Sequence, residues 1–476
     1  MHVLRNKLKD IAKDSSVYGI SKVIGQAISF FLIPLYTSYL SPDDYGVLSI
    51  IGLFASSLTL IMNFGLDSAT YYFAGLASNE EKEKKSIANA QFLTILSMLG
   101  IGIFLLLNID YINHWILEKS QPLAYLIIGI SIGIFSSVSA IPRAYLRIKR
   151  KVKVIAVSTL INVVISILTT LLLVVVIKMG VIGALLGNLA GSLFSSVYIM
   201  LKVPLMDFRQ LNWNSSKELL AYSLPTLPAQ IFAFAIPLYS QWSVKQLLSL
   251  NELGLYAVGL KFTIPLTVVL TMFQQAYAPY KYQILKTDQN PKDTFVKIMN
   301  LFVIGFGVAV ILVTLFGGDV LKLMTNSKYH QAANYIFYLA LIPFVQGMYF
   351  MFSTGIEFSK FPTFRPIISG FGLITVLLLN HYLINKYGVP GAAISIVCSW
   401  GVMAIGNLIY AQHLYKIHYS WPLIIAVFGV VVGIGYGINA IWEISLLYRI
   451  LIGICIGIAT LGILKRQFNL KLPLRK

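Results

Sequence analysis

Apolar runs of about 20 residues recur about fourteen times along the 476 residues, separated by short polar loops. Only helices and closed barrels pair all their backbone groups inside a bilayer. A membrane-spanning helix needs about 20 apolar residues, whereas a barrel strand needs about 10 that alternate with polar ones. Charged residues make up 12% of the chain, about half the share of a soluble domain. The sequence therefore predicts an all-α integral membrane protein of about 14 transmembrane helices.

Basic residues concentrate in alternate loops. Most of the 37 Lys and Arg lie in one set of loops and in the C-terminal tail, whereas the SPDD loop at 41–44 has no base. Lys and Arg are retained on the cytoplasmic side, so the bias, with an even number of spans, predicts both termini in the cytoplasm. The bias also explains most of the net charge of +19 without a nucleic-acid partner. The basic, amphipathic segment 1–15 is typical of an interfacial helix.

Two short motifs each occur twice at the same spacing. LSPDDYG at 40–46 recurs as LSLNELG at 248–254, and KMGVIGA at 178–184 recurs as KYGVPGA at 386–392, both 208 residues on. Turns often reuse Ser, Asp and Gly, but two matches at one offset indicate a duplication. The offset covers six predicted helices, so both copies insert the same way up, as in transporters built of parallel repeats.

The repeat defines the predicted domains. They are an interfacial segment 1–15, an N-lobe of six helices at 16–201, a cytoplasmic linker at 202–217, a C-lobe of six helices at 218–412, and two further helices with a basic tail at 413–476.

Enzyme signatures are not found. The sequence has no Walker A motif, no G-x-G-x-x-G opening a helix, no nucleophile elbow and no pair of His spaced for a metal. We therefore expect no catalytic residue, no bound metal and no cofactor, and a transporter rather than an enzyme.

Ionisable residues inside apolar runs are the first candidate site residues. A charge in mid-membrane costs from about 3 to above 10 kcal/mol, so Lys22 and Lys261 either snorkel or pair locally, or form a cationic patch in a cavity between the lobes. Arg143 and Arg365, at the cytoplasmic ends of their runs, either snorkel or bind phosphate through the guanidinium fork.

Acidic and uncharged polar residues complete the candidates. Asp67 and Glu357 are boundary residues, ion-pair partners or carriers of a coupling ion, H⁺ or Na⁺. Hydrogen bonds between helices would explain each of four amides, and the same four would also suit a sugar-binding cavity. They are Gln26, Gln230, Gln274 and Asn63.

Four stretches carry a family resemblance. SSVYG at 15–19, LSPDDYG at 40–46, GLDSA at 65–69 and NELGLY at 251–256 resemble bacterial polysaccharide repeat-unit flippases of the O-antigen type. These form the polysaccharide transporter family of the multidrug/oligosaccharidyl-lipid/polysaccharide exporter superfamily. The resemblance implies two lobes arranged as a V, alternating access, and a cationic cavity for undecaprenyl-pyrophosphate-linked oligosaccharide, into which Lys22 and Lys261 fit.

The leading hypothesis is therefore a flippase that moves this substrate from the inner to the outer leaflet for O-antigen, capsule or similar surface polysaccharide. Membrane lipids, and a polysaccharide polymerase, are its candidate partners. A multidrug or cation exporter of the same fold is the alternative, and it would need an acidic cavity. A membrane-bound glycan polymerase or acyltransferase would need large external loops with catalytic groups, which the sequence lacks.

Overall fold

The computed structural model describes residues 25–26, 30, 32–117, 121–203, 208–358, 364–440, 449–455 and 457. Within these ranges the chain forms eighteen α-helices and no strand. The helices are α1 (Ile33–Tyr39), α2 (Pro42–Asn63), α3 (Leu66–Gly75), α4 (Glu80–Leu107), α5 (Ile109–Ile116), α6 (Leu123–Val138), α7 (Ala140–Ile148), α8 (Val152–Thr170), α9 (Gly180–Met200), α10 (Trp213–Ser223), α11 (Leu227–Leu247), α12 (Leu250–Lys261), α13 (Ile264–Thr287), α14 (Pro291–Met324), α15 (Ile336–Phe352), α16 (Arg365–Tyr387), α17 (Val389–Leu414) and α18 (Trp421–Ala440).

The helices are long and apolar enough for a polytopic membrane protein. In the described part of the chain, ten spans meet the length and hydropathy of a transmembrane helix, or up to twelve if the bent pairs α10–α11 and α12–α13 each count as one. The all-α membrane class is thus confirmed. The count of about 14 stays a prediction, since the first and last predicted spans, 16–40 and 443–464, lie largely outside the described residues.

The first copy of the repeated LS motif caps a helix. Ser41 precedes α2, and its hydroxyl accepts a hydrogen bond from the Asp44 backbone N–H at 3.2 Å, while the Asp44 carboxylate accepts from the Ser41 backbone N–H at 2.9 Å. This reciprocal capping box satisfies two N–H groups that a helix end leaves unpaired. In the second copy, the Ser249 hydroxyl accepts from the Glu252 backbone N–H at 3.1 Å. The motif therefore has the same local role at α2 and at α12.

The two copies of this motif also contact each other. A Cβ atom on Gly46 would clash with the Leu250 carbonyl, and a Cβ on Gly254 would clash with the Pro42 carbonyl. The Asn251 amide donates to the Asp43 carboxylate at 3.2 Å, across 208 residues of sequence. Because each contact has its counterpart 208 residues on, the starts of α2 and α12 cross symmetrically, and only glycine permits the approach.

By its internal packing, the chain divides into two compact units. The first contains Met1–Gly254 and Arg365–Leu377, and the second contains Leu255–Phe364 and Leu378–Lys476. This division follows packing rather than the repeat, so the predicted lobe and linker boundaries stay predictions. Part of the predicted linker 202–217 already belongs to α10, which starts at Trp213.

In the first unit, Asn89 of α4 fixes the segment that leads into α10. The Asn89 side chain is fully buried and uses both ends of its amide. It donates to the Gln210 carbonyl at 3.1 Å and accepts from the Asn212 backbone N–H at 2.9 Å and the Ser216 hydroxyl at 3.0 Å. Leu219 of α10 then packs in the same hydrophobic cluster as Leu66 of α3.

The second unit is built around an aromatic core. Phe302 and Phe306 of α14 pack with Phe344 of α15 in one extended hydrophobic cluster. The last described helical residues are tied to this unit by an ion pair, in which Arg449 donates to Asp319 at 2.7 Å.

Candidate binding cavity

A cavity of about 560 Å³ lies within the first unit. Side chains of α2, α3, α6, α7, α8, α9 and α11 line it, and most of them are polar. The polar members are Ser56, Thr59, Asn63, Asp67, Tyr71, Ser136, Arg143, Arg147, Thr159, Asn162, Ser195 and Gln230. Polar groups are costly inside a membrane protein unless they are paired or meet water or a ligand, so this cavity is the candidate functional site.

Two arginines lie on one face of the cavity. Arg143 and Arg147 are four residues apart on α7, which places both side chains on the same helix face. An Nη atom of Arg143 donates to the Ser195 hydroxyl at 3.1 Å, while its buried Nε has no hydrogen-bond partner. Arg147 donates to the Tyr71 hydroxyl at 3.0 Å. A guanidinium with an unused donor on its fork is suited to bind phosphate or carboxylate.

Among the described residues that line the cavity, Asp67 supplies the only carboxylate. Asp67 is on the first turn of α3, where the helix dipole stabilises a negative charge. Tyr71 is one turn further along the same helix. Asp67 forms no ion pair with any described residue. Among the described lining residues, the cavity thus holds two positive charges and one negative charge, and this balance favours an anionic ligand.

Three amide side chains also line the cavity. Asn63 is 9% exposed, and its Oδ1 has no hydrogen-bond partner. Asn162 of α8 and Gln230 of α11 also line the cavity. Amide groups both donate and accept, as sugar hydroxyls require.

The cavity brings together part of the predicted site. Arg143, Asp67, Asn63 and Gln230 line it, as do residues that the sequence reasoning did not select. Of these, Arg147 lies four residues after Arg143 on α7, and that spacing is the signal that could have found it. Ser195 had no such signal, because its role depends on the packing of α9 against α7.

Other predicted residues lie elsewhere. Lys22 is outside the described residues, and Gln26 has a buried Oε1 without a partner. Lys261 ends α12 and Gln274 lies on α13, both in the second unit. Glu357 lies in the turn Ser353–Phe358, with its side chain outside the description, and Arg365 begins α16. Gln26, Lys261, Gln274 and Arg365 are not among the described lining residues of this cavity, and the roles of all six residues stay predictions.

The described part of the chain offers no obvious metal centre. No three His, Cys, Asp or Glu side chains within it come together as metal ligands would.

Comparison with known families gives two matches. Residues 11–285 match the model of a family described as polysaccharide biosynthesis protein. Residues 384–468 match a family described as protein of unknown function (DUF3561). No curated protein matches the chain.

Solved structures resemble the whole chain. The lipid II flippase MurJ in an inward closed conformation is 17% identical, with a TM-score of 0.73, over 95% of this chain and 99% of MurJ. A MATE-family multidrug resistance transporter of the MOP superfamily in an inward-facing conformation is 15% identical, with a TM-score of 0.63, over 82% of this chain and 94% of its own. At these identities the likeness establishes the fold alone, an all-α membrane fold.

Proposed function

The chain belongs to the polysaccharide biosynthesis protein family, and on that premise we propose that it is a flippase for undecaprenyl-pyrophosphate-linked oligosaccharides. It moves them from the inner to the outer leaflet of the bacterial cytoplasmic membrane, by alternating access, for O-antigen, capsule or similar surface polysaccharide. The observation that carries the proposal is the pair Arg143 and Arg147 on one wall of a polar cavity inside a membrane fold.

Arg143 and Arg147 are the proposed pyrophosphate contacts. The free Nε of Arg143 and its guanidinium plane offer charge-assisted hydrogen bonds to phosphate oxygens. Each such bond is worth about 1.5 to 3 kcal/mol net. Because both arginines are on α7, one rigid helix presents both forks to the two phosphates.

The amides and hydroxyls are the proposed sugar contacts. Asn63, Asn162 and Gln230 line the same space and can exchange hydrogen bonds with water for bonds to sugar hydroxyls. The lipid tail is not expected to enter a polar cavity, since burying it there would gain no apolar contact. It stays in the bilayer while the head group crosses.

Transport needs an energy source, and the ion gradient is the proposed one. Asp67 in this cavity and Glu357 in the second unit are the candidate carriers of H⁺ or Na⁺. Moving one charge across the membrane is worth about 2.3 kcal/mol per 100 mV.

The rival function, multidrug or cation export, fits the charge of this cavity less well. Two arginines and one aspartate repel a cationic drug. A cation exporter would need the opposite balance at its binding site.

The direct test is surface glycan in a strain whose own flippase gene is deleted and which carries a variant of this chain. Arg143→Ala with Arg147→Ala should lower surface glycan by at least about tenfold to a hundredfold, from the lost charge-assisted bonds. Lys151→Ala is the matched control, because Lys151 is an exposed base of the next loop and does not line the cavity. Wild-type glycan in the double variant, at wild-type amounts in the membrane, would refute the proposal.

Two further arms sharpen this test. Lys261→Glu should abolish surface glycan if Lys261 is a second anchor, as the sequence predicts, and normal glycan would remove it from the site. Ethidium export that depends on Asp67 but not on the arginines would favour the rival function instead.

A further inference from the structure

Helix α5 has one buried and one exposed face. Asn113 and Ile116 are each 5% exposed, and the Asn113 amide donates to the Gln121 carbonyl at 3.2 Å. Tyr111 and Trp115, one turn apart on the other face, are 75% and 52% exposed. Two large aromatic side chains that face outward on so short a helix raise the question of what covers them.

The C-terminal end of α5 is held by Lys245 of α11. The Lys245 ammonium donates to the carbonyls of Ile116 at 3.0 Å and Leu117 at 3.1 Å, and lies 3.5 Å from that of Trp115. These carbonyls end a helix and have no partner within it, and they carry the negative end of its dipole. A lysine that is only 5% exposed is thereby satisfied.

An aromatic contact strengthens the same junction. The Trp242 indole N–H donates to the Trp115 carbonyl at 3.0 Å, and the two indole rings stack with centroids 5.2 Å apart. Lys245 and Trp242 thus form a clasp that fixes α5 to the last turns of α11. The exposed face of α5 is a rigid surface rather than a loose loop.

This surface continues the exposed apolar surface of α4. Phe104 and Leu107 in the last turn of that spanning helix are 62% and 81% exposed, and α5 starts two residues later. Exposed apolar side chains at the end of a spanning helix face lipid. Tyr111 and Trp115 therefore lie where the apolar surface gives way to polar residues, the level that Trp and Tyr prefer in a bilayer.

We propose that the exposed face of α5 binds the lipid surface itself, at the boundary of head groups and acyl chains in the leaflet opposite the basic loops. Asp110 is the only acidic residue of α5 and His114 the only basic one, so attraction to anionic lipid contributes little. Binding depends on burial of the two aromatic rings, and it should occur on neutral phosphatidylcholine and persist in high salt. A stack of rings could also bind sugar, but the continuity with lipid-facing Leu107 favours lipid.

Quenching of tryptophan fluorescence tests this in the full chain. Wild type and Trp115→Phe are reconstituted into phosphatidylcholine vesicles brominated either near the glycerol end or near the methyl end of the acyl chains. The difference between the two proteins isolates Trp115 among the six tryptophans. Trp400→Phe is the matched control, since Trp400 packs against Tyr349 in the second unit.

The expected result is quenching of the Trp115 emission at least twofold stronger by the bromines near the glycerol end, unchanged by salt. Equal emission of Trp115 in brominated and plain vesicles would overturn the proposal. So would a Trp115 signal that responds to a soluble N-acetylglucosamine oligomer but not to brominated lipid, since this identifies a sugar platform.

The clasp is tested with a spin label at position 111, introduced by Tyr111→Cys. Lys245→Met should increase the label's mobility and its collisions with a water-soluble paramagnet. Trp242→Phe, which keeps an aromatic ring but removes the N–H donor, should do so to a smaller extent and serves if Lys245→Met does not insert. Unchanged mobility in Trp242→Phe, together with unchanged mobility or no insertion of Lys245→Met, would overturn the role of the clasp.

Discussion

At two positions of the cavity wall, the first repeat holds a polar side chain where the second repeat holds a buried methionine. At the offset of 208 residues, Arg143 of the cavity corresponds to Met351, and Ser195 corresponds to Met403. Met351 is 2% exposed and Met403 is fully buried. The helices that carry these residues nevertheless correspond, for α6–α7 covers 123–148 and its counterpart 327–356.

This difference shows that the residues that set helix starts and crossings are specified separately from the side chains that fill the space between the helices. Caps and glycines, such as Ser41 with Ser249 and Gly46 with Gly254, recur in both repeats and set where helices start and cross. The interior side chains can differ between the repeats, and in the first repeat they line a polar cavity instead of packing closely. Binding is therefore expected in the first unit, and rigid aromatic packing in the second.

The largest predicted effect comes from replacing a cavity residue of the first repeat with its counterpart in the second repeat. Arg143→Met should lower transport by about a hundredfold, because it removes the guanidinium fork, while the protein stays in the membrane. Surface glycan and membrane protein amount are the measurements. Met351→Leu is the control and should leave transport within about twofold, since a volume-conserving swap is tolerated. Full transport by Arg143→Met would show that charge in the cavity is not required.

The symmetric crossing makes a second prediction. Gly46→Ala and Gly254→Ala should each destabilise the protein by about 1 to 3 kcal/mol, the cost of overpacking, because each new Cβ meets a backbone carbonyl that cannot rotate away. Unfolding in detergent measures both. Gly52→Ala, on α2 with nothing near its Cβ position, should be neutral or stabilising. A large effect at only one of the two glycines would show that the crossing is not symmetric.

The shared caps predict a smaller and paired effect. Ser41→Ala and Ser249→Ala should each cost about 1 kcal/mol, because each leaves a helix N–H unpaired. Amide hydrogen exchange at Asp44 and Glu252 reports each cap locally. Faster exchange at Asp44 in Ser41→Ala, without faster exchange at Glu252 in Ser249→Ala, would contradict an equal capping role.

The smallest effect concerns a surface pair that only the first repeat has. Lys149 lies 2.8 Å from the Glu83 carboxylate, and this hydrogen bond raises the pKa of Lys149. The offset places Glu357 and Pro291 at the corresponding positions, so the second repeat cannot form the pair. A raised pKa means stability that is present below the ordinary pKa of lysine and is lost as pH rises through the raised pKa of Lys149.

Melting curves of wild type and Lys149→Met between pH 7 and pH 11 check this prediction. The two curves should differ slightly at pH 7, less in high salt, and converge at high pH. A difference that grows with pH would have the wrong sign and would exclude this pair as its cause.

Most of the fold could be predicted from sequence, but only part of the site. Arg143, Asp67, Asn63 and Gln230 were selected because polar residues in apolar runs are rare, and they do line one cavity. Lys261 was selected on the same ground, and it lies in the second unit. Rarity identifies a residue that needs a partner, but it does not say which helix supplies that partner.

The sequence by itself determined the all-α membrane class, the duplicated framework and its helix caps, because apolar length and capping chemistry are local along the chain. The tertiary structure alone decided that Ser195 holds Arg143 and that Lys245 holds the end of α5. Those contacts join residues 52 and 129 positions apart. They depend on how each helix is rotated about its axis when it packs, which the polar pattern of a single segment leaves open.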